Sequence, residues 1–298
     1  MIKVICKKAF GSLLIVSLLF SISGCQRTES EQTIQATIHP LPHSERRLYI
    51  YSASSLERFV SSISTRYRHQ YPEVELIVSL VGSQTARLQL ERGAPPGIFL
   101  SADQRHIERL AEQGKIWTCG YFAENRMSLI TQKSSAISSI DELLNGQGFA
   151  IGVDQVPVGR YAWSLLKRYY RGNDQALALL SQRIKTQEIS ARALKARLRR
   201  KEVESAFIYQ SDLGELNDVR EVKLPHTLSE LARVKLMISV TRSMEGVPPP
   251  DRSLDWFRLA LDEHGKEAIR EVGLRPITEH NENQHPHSQY CGAPQILK

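Results

Sequence analysis

Two serines stand where a hydrophobic run gives way to a helical pattern. Ser55 follows the strand-like Arg47-Leu-Tyr-Ile-Tyr51 and Ser52-Ala-Ser, and Ser83 follows Gly82 and the run Val74–Leu80 (VELIVSL). At such a junction the first N–H groups of the helix lack partners, the positive end of the helix dipole adds to them, and a hydroxyl supplies a further donor. The chemistry on offer is anion binding. A serine there also serves as a plain N-cap, and Ser83 taken alone leaves both roles open. Two such junctions on neighbouring parallel strands aim their helix N-termini at one crevice, outside the carboxyl ends of the strands.

The surrounding elements supply those strands. The helix that opens at Ser83 stops at Gly93, and Pro95-Pro96 prevents it from restarting. A short strand, Ile98–Ser101, follows, and Asp103 is placed to cap the helix DQRHIERLAEQG. Strand, turn, helix, strand and helix within about 40 residues is the grammar of an α/β domain with a parallel sheet. Leu56, Phe59, Val60, Ile63 and Tyr67 share one face of the helix after Ser55. Later strands are predicted at Met127–Thr131, Phe149–Val153, Ser205–Gln210 and Val234–Val240. Helices are predicted at Ile140–Leu144, from the loop Asp154–Tyr161 to Gly172, and around Trp256–Leu261. A length of 298 residues is more than one core usually fills and allows two lobes.

The N-terminus carries Lys3, Lys7 and Lys8, then the apolar run Leu13–Phe20, then Ile22-Ser-Gly-Cys25. The run is too short to span a bilayer and reads as an export signal. The small residues before Cys25 resemble a bacterial lipoprotein cleavage box. Residues 1–24 are therefore expected to be removed, Cys25 to be lipidated, and the polar residues 25–45 to tether the domain to the membrane. Removing three lysines from 39 basic against 32 acidic residues leaves a net charge of +4, which is no nucleic-acid footprint. The one basic run, Arg192–Lys201, carries leucines at 194 and 198 and reads as a solvated helix face. Residues 280–298, with His280, His285 and His287, read as a disordered tail and not as a metal site.

The run from Gly82 to Asp103, with its G-S, R-G-A-P and S-A-D, resembles the molybdate/tungstate-binding proteins of ABC transporters. Their pattern is roughly F-G-A-S-G-x-L…G-A-P-A-D-V-F-x-S-A-D. The resemblance extends from residue 46 to about 278. Ser55-Leu56 matches the end of the family's A-A-S-L, and Phe122-Ala-Glu-Asn125 its F-A-x-N, where the chain first crosses to the second lobe. Asp154–Tyr161 (DQVPVGRY) matches D-P-x-x-V-P-A-G-x-Y, Ser190-Ala-Arg192 matches x-V-R, and Ser205–Asp212 matches G-I-V-Y-x-S-D. The chain departs from the pattern in a loop shorter by two before the helix, in Val158 for the family's alanine, whose extra methyls are expected to narrow the pocket, and in Gly97 for its aspartate.

The resemblance implies a type II periplasmic-binding-protein fold with the ligand between two lobes, each a mostly parallel sheet flanked by helices. Residues 46–123 and 234–279 would form lobe 1, and 124–233 lobe 2. The implied ligands are the hydroxyls of Ser55, Ser83 and Tyr209 and the N–H groups of Val158 and Ala191. All are neutral donors, and a donor-only set suits a fully ionised dianion such as molybdate, tungstate or sulfate, whereas phosphate near pH 7 keeps a proton and needs an acceptor. The implied role is capture of the oxyanion and its delivery to an ABC permease by a monomer without cofactor or catalysis. With Cys6 lost and Cys25 lipidated, an oxidising compartment favours a Cys119–Cys291 bridge. Two other classes compete. A secreted serine hydrolase would need a G-x-S-x-G elbow, which is absent. A ferric-iron binder would use paired phenols such as Tyr169-Tyr170, whose helical position favours packing.

Overall fold

The computed structural model describes residues 46–243 and 248–277. The export signal, Cys25, the tether, Cys291 and the tail 280–298 lie outside the described residues. Within them, β1 (Arg47–Ala53), β2 (Glu75–Val81) and β3 (Gly97–Ser101) pair in parallel, with β1 in the middle. The helices α1 (Glu57–Gln70), α2 (Ser83–Glu91) and α3 (Gln104–Glu112) alternate with them. A long strand, β4 (Ile116–Gln132), then runs from one sheet into a second. The predicted strand at Met127–Thr131 is only its second half. The first half lies antiparallel to β9 (Arg233–Thr241), which in turn pairs with β3.

The second sheet repeats the plan. Here β5 (Phe149–Gly152), β6 (Ile184–Glu188) and β7 (Ser205–Tyr209) are parallel, with β5 in the middle, and β7 pairs antiparallel with β4. Between them lie α4 (Pro157–Tyr169), α5 (Asp174–Gln182) and α6 (Ala191–Arg199). The strand β8 (Val219–Val222) adds to the far end of β4. The chain closes with α7 (Asp251–Leu261), α8 (Glu263–Glu271) and the two-residue β10 (Arg275–Pro276) against β4. The single late helix expected from Trp256 onward is thus two. Asp262 ends α7 and caps α8 by accepting from the Gly265 N–H at 2.7 Å. The stretch at Ile140–Leu144 is one 3-10 turn, Asp141–Leu144, and α5 and β6 are additional to the predicted elements.

Burial follows the pattern of apolar residues. All five residues of β3 and of β7 are buried, as central strands covered on both faces require. The α1 stripe Phe59, Val60, Ile63 and Tyr67 is buried against β1 and α7. Gly97 has a definite reason. A Cβ at this position would overlap the carbonyl oxygen of Tyr49 on the neighbouring strand, so the packing of β3 on β1 admits no side chain. Gly97→Asp, which restores the residue of the resembling family, is therefore expected to destabilise the fold by at least the roughly 1–3 kcal/mol typical of overpacking. A urea midpoint equal to that of the wild type would show that the two strands have room.

Candidate functional site

The parallel strands end where the chemistry begins. Ser54 and Ser55 follow β1, Gly82 and Ser83 follow β2, and Ala102 follows β3. From the second sheet, Val156–Val158 follow β5, Ile189–Ala191 follow β6, and Tyr209 ends β7. Residues from all six strand ends line one cavity, and Ser55, Ser83, Val158, Ala191 and Tyr209 are all among them. The space open to the centre of a water-sized body is about 20 Å³, where one water needs roughly 10–15 Å³. That is the scale of a small ligand held among the strand ends.

Each donor is set by local structure. Ser83 is the first residue of α2 and Gly82 holds the N-cap position, so of the two roles open to Ser83 the plain N-cap is not the one it fills. The Ser83 hydroxyl instead accepts from the Ala102 N–H at 3.1 Å, which leaves its own proton free to donate. Ser190 does cap α6, accepting from the Ala193 N–H at 3.2 Å, while the Ala191 N–H at the first position has no intrahelical partner. Pro157 opens α4 without an N–H, no side chain caps that end, and Val158 follows with an orphan N–H. The short loop before α4 has a tight consequence: neither Gly152 nor Gly159 has room for a Cβ, because β5 and the first turn of α4 touch. Val158 Cγ1 lies close to Gly152 on β5, and Val158 also lines the cavity.

The Tyr209 phenol is 2% exposed and bonds to no protein group among the described residues. Burial first, then the nearby Tyr161 and Asp212, raises its pKa well above the ordinary value, so it remains a donor. Sequence reasoning missed Ser54. It is 3% exposed, lines the cavity beside Ser55, and its hydroxyl likewise has no partner among the described residues. The adjacent serines 54 and 55 were the available signal. No Asp, Glu, Lys, Arg or His lines the cavity.

The model for the bacterial extracellular solute-binding proteins matches residues 48–275. The chain belongs to that family. Among its relatives is the molybdate-binding protein ModA of Escherichia coli (strain K12), 29% identical over 135 residues. That match covers 42% of this chain, and the chain spans about half (52%) of the length of that relative. Among solved structures, the periplasmic molybdate-binding protein of Azotobacter vinelandii superposes with a TM-score of 0.64 at 15% identity, covering 78% of this chain and all of that one (100%). The sulfate-binding protein SubI of Mycobacterium tuberculosis H37Rv gives 0.64 at 15% identity, covering 80% and 91%. The solute-binding protein shares with them the two-lobed type II fold.

The other candidate groups of this solute-binding protein lie elsewhere. Tyr169 and Tyr170 donate to the two carboxylate oxygens of Asp141 at 2.7 and 3.1 Å and do not line the cavity. The described residues contain no cluster of three or more His, Cys, Asp or Glu placed to hold a metal ion. His106 is buried between α2 and α3, where desolvation and then Arg87 and Arg105 lower its pKa to about 4. Cys119 is disulfide-bonded, and Cys291 lies outside the described residues. The basic run forms the expected exposed face, with Arg192, Arg199, Arg200 and Lys201 exposed over buried Leu194 and Leu198, and Lys195 is the exception. Lys195 is buried, 2.9 Å from Asp212 and 2.8 Å from Glu215, and Arg197 pairs with Glu188 and Glu202 at 2.6 Å each. No helix among the described residues is long and apolar enough to cross a membrane.

Proposed function

We propose that this protein captures a tetrahedral oxyanion, molybdate or tungstate, between its lobes and delivers it to an ABC permease. The observation that carries the reading is the lining of the cavity, built from hydroxyls and helix-terminal N–H groups with no charged side chain. The hydroxyls of Ser55, Ser83 and Tyr209 and the N–H groups of Val158 and Ala191 act as the donors, and Ser54 adds a sixth. A buried dianion surrounded by donors and three helix N-termini is stabilised without a counter-charge. A protonated phosphate would bring a donor of its own with no carboxylate to accept it. The names of the molybdate-binding relatives support the choice of ligand. Lipidation at Cys25 would keep the protein beside its permease, where it works as a monomer and catalyses nothing.

Sulfate is the second reading, favoured by the equal structural likeness to a sulfate-binding protein. A thermal-shift panel separates them. A ligand that binds only the folded form stabilises it by about 2.7 kcal/mol at a hundredfold excess over its Kd. Molybdate and tungstate are expected to raise the Tm and phosphate to leave it unchanged. A shift with sulfate alone would transfer the assignment to sulfate, and a shift with phosphate alone would overturn the donor-only site.

A further inference from the structure

Two ion pairs cross the cleft on either side of the cavity. Asp103, next to Ala102 at the end of β3, pairs with Arg160, two residues past Val158 on the first turn of α4. Glu57, at the start of α1, pairs with Arg192, next to Ala191, at 2.7 Å. Each pair thus joins two residues that lie within two positions of a cavity-lining group, one on each lobe. The two arginines lie in the first turns of α4 and α6, where a positive charge opposes the helix dipole. Helix stability does not explain them there. Their partners across the cleft do.

We propose that Asp103–Arg160 is the principal latch of the closed cleft and sets how long a bound oxyanion is held, with Glu57–Arg192 as a weaker second catch. This rests on the oxyanion reading of the cavity. The two pairs differ in burial. The side chains of Asp103 and Arg160 are 5% and 21% exposed, those of Glu57 and Arg192 45% and 49%. An exposed pair is screened by water and salt and adds little, whereas a shielded one is screened far less. The latch is also able to open. Asp103 keeps a second cation on its own helix, Arg105 at 3.2 Å, and its Oδ1 accepts from the Arg105 N–H at 2.9 Å. Parting from Arg160 therefore strands no bare carboxylate. Closure leaves no slack nearby, since a Cβ on Gly82 would lie 3.1 Å from the Ile189 carbonyl oxygen of the opposite lobe. Arg160 and Asp103 act as positioning residues: they hold the Val158 end of α4 against the β3 end that carries Ala102, the N–H partner of Ser83.

The test is stopped-flow binding of molybdate, tungstate and sulfate to the full exported protein and to Arg160→Gln, Arg160→Lys, Asp103→Asn and Arg192→Gln. Arg160→Gln is expected to release the anion about tenfold faster with little change in association rate, and Arg160→Lys to recover part of the loss. Arg192→Gln should change release by less than about threefold. The double variant Asp103→Asn plus Arg160→Gln should release no faster than Arg160→Gln alone, because the same pair is removed. Release from Arg160→Gln at the wild-type rate overturns the latch. If the wild-type protein takes up none of these anions, the functional reading fails and small-angle scattering of the ligand-free proteins decides the latch. A larger radius of gyration in Arg160→Gln than in the wild type supports it, and identical profiles overturn it.

Discussion

Ser83→Ala is expected to weaken oxyanion binding by about 1.5–3 kcal/mol, roughly ten- to more than a hundredfold. The hydroxyl is buried and engaged on one side only, accepting from the Ala102 N–H. Its proton is therefore the part left for the ligand, and a hydrogen bond to a charged acceptor away from bulk water is among the stronger kinds. The same substitution strands the Ala102 N–H, so the ligand-free protein should lose a further ~1 kcal/mol or more of stability. Tyr209→Phe removes a donor that has no protein partner among the described residues and keeps the ring, so binding should fall by a similar factor with the ligand-free fold nearly unchanged. Ser54→Ala and Ser55→Ala should follow Tyr209→Phe. Because Ser83 and Tyr209 would grip one ion from opposite lobes, their double variant should not be additive. Calorimetric titration decides the matter: wild-type affinity in all four single variants would place the anion elsewhere.

Lys195→Met is expected to cost about 3–5 kcal/mol of stability, the usual penalty for removing one partner of a buried ion pair. Lys195 is 4% exposed and Asp212 1%, and the second carboxylate, Glu215, lies on the rim of the same cluster. Burial pulls the Lys195 pKa down, but Asp212 and Glu215 outweigh it and hold the ammonium charged. Burial likewise pushes Asp212 up to about 6 against the opposing pull of Lys195. The folded form thus takes up the Asp212 proton more readily than the unfolded chain does. The contribution of this group is fullest below the unfolded value near 4 and is lost as pH rises through about 6. Without Lys195 the carboxyl should rise further, so the deficit of Lys195→Met should be larger at pH 8 than at pH 5. Urea unfolding at both pH values measures it, and a deficit independent of pH would mean that Asp212 is not the stranded group. Replacing Asp212 with Leu in the same chain should recover much of the loss, since an apolar pair can fill such a site. The cluster also matters for the cavity, because it ties α6, which begins at Ala191, to the turn that follows Tyr209.

The junctions were legible because their signals are local. A glycine or serine after a strand and Asp103 at the head of the helix it caps are statements about neighbours in sequence, and the backbone obeys them within a turn. The resemblance added which junctions share a cavity. Where sequence reading went wrong, the error lay in burial. The run Arg192–Lys201 is an exposed face except at Lys195, which Asp212 and Glu215, carboxylates from another element, allow inside. At Ser83 the sequence permits either a cap or a ligand. Whether its oxygen turns to its own helix or to Ala102 depends on how closely β3 lies beside α2.

By itself the sequence determined the alternation of strands and helices, the small polar residues at the strand ends and the neutral donors those ends offer. These follow from periodicity, capping and turn chemistry, each decided within a few residues. Only the tertiary structure decided that six strand ends from two sheets surround one cavity, that Ser54 faces it with Ser55, that Gly97 leaves room for nothing larger, and that Asp103 meets Arg160 across the cleft. Those outcomes depend on strand order and on the passage of β4 from one sheet into the other. Residues far apart in the chain are brought within a few ångströms by packing, and no spacing rule along the sequence carries that distance.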